Sequence, residues 1–266
     1  MPDNATPPAP PAILLAGARI VPTGAGAQAP ALFQSLNLSI EAGEQVALIG
    51  ASGAGKTTLL LTLADALPLA GGQLTLWGAN PAALSTRARQ RLRARVFHAA
   101  QVPPLPPRQR VVAAVLAGRL PQMNLLRSLR TLWQPSRADA QLAHDMLCTL
   151  DLPDKLWQRV DRLSGGERQR VGLARLLASQ AELWLVDEPL SALDPTRAAL
   201  ILDTLTRTAR ERGCTLVCSL HQVEAARRFP RIIALQAGQI VFDGPASQLD
   251  DARLQRLYGS EAVSPS

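Results

Sequence analysis

"LIGASGAGKTTLL", Leu48 to Leu60, decides the fold. An apolar run leads in, glycines crowd the middle, one lysine follows, and threonines and leucines complete it. The lysine is informative, because nearly all of the chain's 28 basic residues are arginine and the only lysines are Lys56 and Lys155. Gly50, Gly55, Lys56 and Thr57 fit the spacing G-x-x-x-x-G-K-[ST], with a buried strand before and a helical pattern after. Glycines in such a loop let backbone N–H groups turn inward around phosphate oxygens, where a Cβ would clash. The helix that follows points its positive end at the same anion. The expected cradle is Gly50, Ala51, Ser52, Gly53, Ala54, Gly55, Lys56, Thr57 and Thr58. Lys56 adds a compact charge on β- and γ-phosphates, where the planar fork of arginine would not fit. Thr57 offers its hydroxyl to Mg²⁺.

Working outward, "EAGEQVALIG" places a turn at residues 41–43 and a strand over 45–49. Ile13 to Ile20 and Leu32 to Ile40 read as strands around a Gly/Ala/Pro-rich turn, "TGAGAQAP". The helix from Lys56 is expected to reach about Leu67, Gly71-Gly72 to punctuate, and "QLTLWG" and "RARVFHAAQ" to be strands, the latter ending at Gln101. Residues 102–158 are helical in pattern, interrupted by prolines, and read as part of an inserted helical subdomain of about 102–180. "VPPLPPRQR" within it favours a stiff, extended loop. Beyond it, strands at 182–186, 215–219, 232–235 and 239–242 alternate with helices at 165–179, 197–212 and 223–229. Alternation at crossover spacing predicts an α/β fold with a mostly parallel sheet, an antiparallel β part and the helical insertion.

A length of 266 residues with 47% hydrophobic content supports a sizeable core. The net charge of +7 is spread as scattered arginines, which argues against nucleic acid as a partner. Cys148, Cys214 and Cys218 lack metal-ligand spacing and read as small buried hydrophobes in a reducing compartment. No apolar run is long enough to span a bilayer. The proline-rich start, 1–12, and the end, 251–266, read as tails, the first without the pattern of a secretory signal.

Two further stretches carry chemistry. "LWLVDEP", Leu183 to Pro189, is an apolar strand delivering two acids to the carboxyl edge of the sheet, where α/β ligands sit. Asp187 there would hold Mg²⁺, directly or through water, and Glu188 could act as general base on the attacking water. Capping of the next helix is the plainer alternative for two acids in that position. "LSGGERQR", Leu163 to Arg170, opens a helix with Ser164, Gly165, Gly166 and Glu167, another anion-binding geometry or, taken alone, a flexible N-cap.

Together these motifs resemble the nucleotide-binding subunit of an ATP-binding-cassette transporter, over roughly residues 13–250. In that family LSGG[QE] is the signature sequence. The resemblance implies that Gln101 contacts Mg²⁺ and the attacking water, and that His221 in "CSLHQ" bonds the γ-phosphate and holds Glu188 in line. It implies that "SALD", ending at Asp194, meets the opposing subunit. His98 and His144 match no motif and read as ordinary structural or surface histidines. Many members stack an aromatic residue on adenine; "GARIVPTG" has none, leaving Val21 or Pro22 nearest.

The resemblance further implies a homodimer with head-to-tail ATP sites, in which Ser164 and Gly166 serve the partner's nucleotide. Two integral-membrane permease subunits, and a periplasmic binding protein indirectly, complete the assembly at the cytoplasmic face of the inner membrane. "VLAGRL", "SLRTLW" and "LHQVEAARRFPRIIALQAGQIVFDGP" look like the phosphonate-import branch. Importers of amino acids or metals share part of that pattern, and a non-transport ATPase of the same superfamily is a further alternative.

Overall fold

The computed structural model describes residues 9–22, 29–191 and 193–250. The expected tails therefore fall largely outside the described residues, as do most of "TGAGAQAP" and Ala192 of "SALD". Ala12 is not part of a loose tail: it is buried, and its carbonyl accepts from the Trp77 N–H at 3.1 Å.

Two sheets form the frame. β1 (Ile13–Ile20), β2 (Phe33–Ile40) and β4 (Gly71–Leu76) make an antiparallel sheet in the order β2-β1-β4. β3 (Gln45–Gly50), β5 (Val96–Ala99), β6 (Leu183–Asp187), β7 (Thr215–Ser219), β8 (Arg231–Gln236) and β9 (Gln239–Pro245) make the larger one, ordered β5-β6-β7-β3-β8-β9. It is parallel except for β9, which pairs antiparallel with β8.

Every residue of β3, β6 and β7 is buried, as expected for parallel strands covered on both faces. Alternate residues divide between two cores. Ala47, Ile49, Trp184, Val186, Leu216 and Cys218 pack on the helical side; Val46, Leu48, Leu183, Leu185 and Val217 pack towards the antiparallel sheet. Trp184 meets its burial requirement by donating from Nε1 to the Ala181 carbonyl at 3.0 Å.

Helix α1 (Lys56–Leu63) follows β3 and stops four residues before the expected end. Asp65 takes a left-handed backbone (φ 55°), and its carboxylate receives a two-pronged hydrogen bond from Arg89 at 2.6 and 2.7 Å. Arg89 lies on α2 (Thr86–Arg93), an arginine-rich helix that the sequence pattern did not predict because only Leu92 of it is buried. Gly71 and Gly72 are inside β4 rather than before it. The insertion is helical as expected: α3 (Val111–Leu116), α4 (Leu125–Trp133), α5 (Arg137–Thr149) and α6 (Gly165–Ala178). α7 (Pro195–Arg212) and the short α8 (Val223–Ala226) complete the helices that matter here. Cys214 and Cys218 are buried, but Cys148 is exposed on α5, its Sγ 3.3 Å from His144 Nε2; the apolar letters around it line the helix's other side.

Candidate nucleotide site

Parallel register brings the chemistry to one edge. Asp187 at the end of β6 lies opposite Ser219 at the end of β7, and Leu48 of β3 pairs with the same Ser219. The phosphate loop, the two acids, His221 and the turn after β5 that carries Gln101 therefore emerge side by side.

The loop from Gly50 to Gly55 needs its glycines for two reasons. Gly50 (φ 153°) runs so close to β8 that a Cβ would sit 2.4 Å from the Leu235 carbonyl oxygen. Gly55 is left-handed (φ 98°), and a Cβ there would lie 2.7 Å from the Phe33 ring. Gly55 is also the N-cap of α1 and supplies no side-chain acceptor, and the first turn holds no acid. Leading N–H groups and the positive helix end are left facing the loop, a donor set suited to phosphate. Lys56 is buried and donates from Nζ to the Gly50 carbonyl at 2.8 Å and the Ala51 carbonyl at 3.2 Å. Ser52, Gly53 and Thr57 are exposed, and Thr58 uses its carbonyl to accept from the Thr62 hydroxyl at 2.9 Å.

Glu188 is the centre of the site. One carboxylate oxygen accepts from Gln101 Nε2 at 2.7 Å, and the other pairs with His221 Nε2. Its backbone is left-handed (φ 46°), an uncommon state for a non-glycine residue, and is clamped on both sides. The Glu188 N–H donates to Ser219 Oγ at 2.9 Å, while its carbonyl accepts from Gln169 Nε2 at 2.8 Å and from Ser191 Oγ at 3.3 Å. Ser219 Oγ in turn donates to Asp187 Oδ1 at 2.6 Å. One buried hydroxyl thus fixes both acids. Burial pushes the pKa of neighbouring His98 down, with Asp187 acting weakly in the opposite sense.

Ser219 and Gln169 are the residues bonded to the two acids that sequence reasoning missed. Ser219 lies inside the quoted "CSLHQ" and Gln169 inside "LSGGERQR", but their roles come from pairing across 32 and 19 positions, which no local motif records.

The signature stretch opens α6, the helix that carries Gln169. Ser164 is its N-cap in a reciprocal capping box: Ser164 Oγ accepts from the Glu167 N–H at 3.2 Å, and Glu167 accepts from the Ser164 N–H at 2.8 Å. Lys155, the chain's other lysine, pairs with Glu167 at 2.9 Å. Lys155 and the Ser164 N–H hold the Glu167 carboxyl down at about 2. Ser164 and Gly165 are exposed. Asp194 caps α7, accepting from the Arg197 N–H at 3.0 Å, which lowers its pKa. The structure thus joins Gln101, Asp187, Glu188 and His221 in one cluster beside the phosphate loop, and places Ser164, Gly165, Gly166 and Glu167 at the start of α6, the helix whose Gln169 reaches that cluster.

A phosphate loop, two acids on a parallel strand end, and a serine–glycine helix cap define an ATP-binding cassette. The family model described as ABC transporter matches residues 33–191, and the chain belongs to that family. The chain is 59% identical to the phosphonates import ATP-binding protein PhnC 2 of Albidiferax ferrireducens, over 86% of this chain and 82% of that protein. It is 57% identical to the phosphonates import ATP-binding protein PhnC of a Polaromonas species, over 86% and 83%. Among solved structures, a dimeric post-hydrolysis ATP-binding cassette bound to ADP and Pi superposes with a TM-score of 0.76 at 25% identity, covering 88% of this chain and 98% of that one. Among the described residues no helix is long and apolar enough to cross a membrane.

Proposed function

We propose that the chain hydrolyses ATP as the energising subunit of an importer for phosphonate or a related oxyanion. The observation that carries the catalytic part is the grip of Gln101 and His221 on the two carboxylate oxygens of Glu188. A carboxylate held in this way is pre-aimed to take a proton from water, with no reorientation needed during the reaction. Lys56, now bonded to its own loop carbonyls, would turn to the β- and γ-phosphates. Asp187, Thr57 and Gln101 would hold Mg²⁺, which would neutralise charge on the transferred phosphoryl group. The oxyanion substrate is supported by the names of the relatives, 59% and 57% identical to this chain over the aligned stretch.

Exposed Ser164 and Gly165 support the dimer reading: the α6 cap of one protomer would close over the triphosphate of its partner. Loss of the shared γ-phosphate would then open the dimer and move two permease subunits, with the chain peripheral on the cytoplasmic face of the membrane. Reconstitution with the permease pair and a binding protein tests the substrate: ATP-dependent uptake of a labelled alkylphosphonate is expected. Uptake of an amino acid or metal chelate instead would overturn the choice of solute and leave the ATPase intact.

A further inference from the structure

The helical insertion carries a surface that the nucleotide chemistry does not use. α4 exposes Leu125, Leu126, Leu129 and Trp133, with Leu126 81% and Trp133 92% exposed. Offsets of one, four and eight residues gather all four within about 100° of helix arc. Thr131, on another side of α4, is buried, so the helix is seated with its apolar stripe outward. Beside the stripe opens a cleft of about 850 Å³ lined by Arg119, Arg127 and Arg130, together with Asn124, Gln134 and Ser136. Asp139 also borders it and pairs with Arg119 at 3.5 Å; among the described residues no ion pair is found for Arg127 or Arg130.

The surrounding sequence has one sign. Residues 66–138 contain 11 arginines and no lysine, aspartate or glutamate, while the other 17 basic residues face all 21 acids of the chain. The positive charge looks scattered along the letters, yet this segment's 11 uncompensated arginines exceed the chain's net charge of +7. Gln122 Nε2 donates to the Ala94 carbonyl at 3.1 Å, which sets the arginine-rich α2 beside the start of α4.

We propose that α4 and its arginine cleft dock on an anionic lipid leaflet. The leucines and Trp133 would enter the headgroup–acyl boundary while the cleft arginines take lipid phosphates. A short amphipathic helix with apolar residues and a tryptophan on one face, and arginines beside it, suits that interface. An anionic leaflet rewards each nearby arginine by about fivefold in binding. The importer reading gives this surface its setting, but vesicle binding needs no permease, so its failure would leave that reading standing.

Flotation of the full chain with phosphatidylethanolamine–phosphatidylglycerol vesicles, against phosphatidylcholine alone, is the test. Binding to the anionic vesicles alone, weakened by salt, is expected. Arg127→Glu with Arg130→Glu should lower the bound fraction at least about tenfold, as should Leu126→Ser with Trp133→Ser, with ATP turnover in solution unchanged. Trp133→Phe should remove a vesicle-induced blue shift in fluorescence. No flotation, equal binding to both vesicle types, or variants without effect would overturn the proposal. A photo-crosslinker replacing Leu129 in the reconstituted transporter should label lipid; labelling of a permease or a second copy of the chain instead would also overturn it.

Discussion

Glu188 and Ser164 sit in opposite situations. Glu188 is answered entirely from within its own chain: Gln101 and His221 hold its carboxylate, Ser219 its N–H, and Gln169 and Ser191 its carbonyl. Ser164 is exposed, and its internal bonds close the capping box with Glu167 and start α6 through the Arg168 N–H. The first region is a closed hydrogen-bonded cluster, assembled where parallel strands end. The second is a rigid helix end with its serine presented outward. Such a division is what a shared site requires, since a cap offered to a partner has to be pre-shaped without being used up at home.

The largest expected effect lies on the closed side. Glu188→Gln removes the base but keeps the shape, so turnover should fall about 10²–10⁴-fold while ATP still binds, checked by phosphate release and calorimetry. Wild-type turnover in that variant would end the assignment of Glu188 as base. Lys56→Ala removes charge-assisted bonds to phosphate and should weaken ATP binding by roughly tenfold to a hundredfold; calorimetry showing unchanged affinity would contradict the cradle. Ser219→Ala strips one partner from both Asp187 and the Glu188 N–H. Turnover should drop about tenfold, with Ser219→Thr restoring much of it.

The smallest effect belongs to the presented side. The fold holds the Glu167 carboxyl at about 2, below its ordinary value of 4.5. Its contribution to stability is therefore complete above pH 4.5 and is lost as pH falls towards 2. The gap in melting temperature between wild type and Glu167→Gln should be constant above pH 4.5 and shrink below it. A gap that grew with acid would reverse the assignment.

The same contrast separates what the sequence reveals from what it conceals. The phosphate loop, Asp187-Glu188 and the serine–glycine cap are legible because each is a run of neighbours whose spacing the backbone itself demands. β3, β6 and β7 are legible because strands buried on both faces are apolar throughout. Ser219 and Gln169 act through register and helix docking, so their roles appear only once β6, β7 and α6 are in place. α2 is hidden because arginines cover it, and α1 ends early because Asp65 turns out to meet Arg89 from a later helix. Cys148 is misplaced because on a helix an apolar neighbourhood in sequence is not one in space.

Mixing two inactive chains tests the shared site most directly. Ser164→Arg spoils only the presented cap, and Lys56→Ala spoils only the chain's own phosphate cradle. In a mixed dimer one composite site keeps both an intact cradle and an intact cap, so ATP turnover absent from either variant alone should reappear on mixing. If mixing restores nothing although mixed dimers form, each cap serves its own chain's nucleotide and the two-chain site is contradicted.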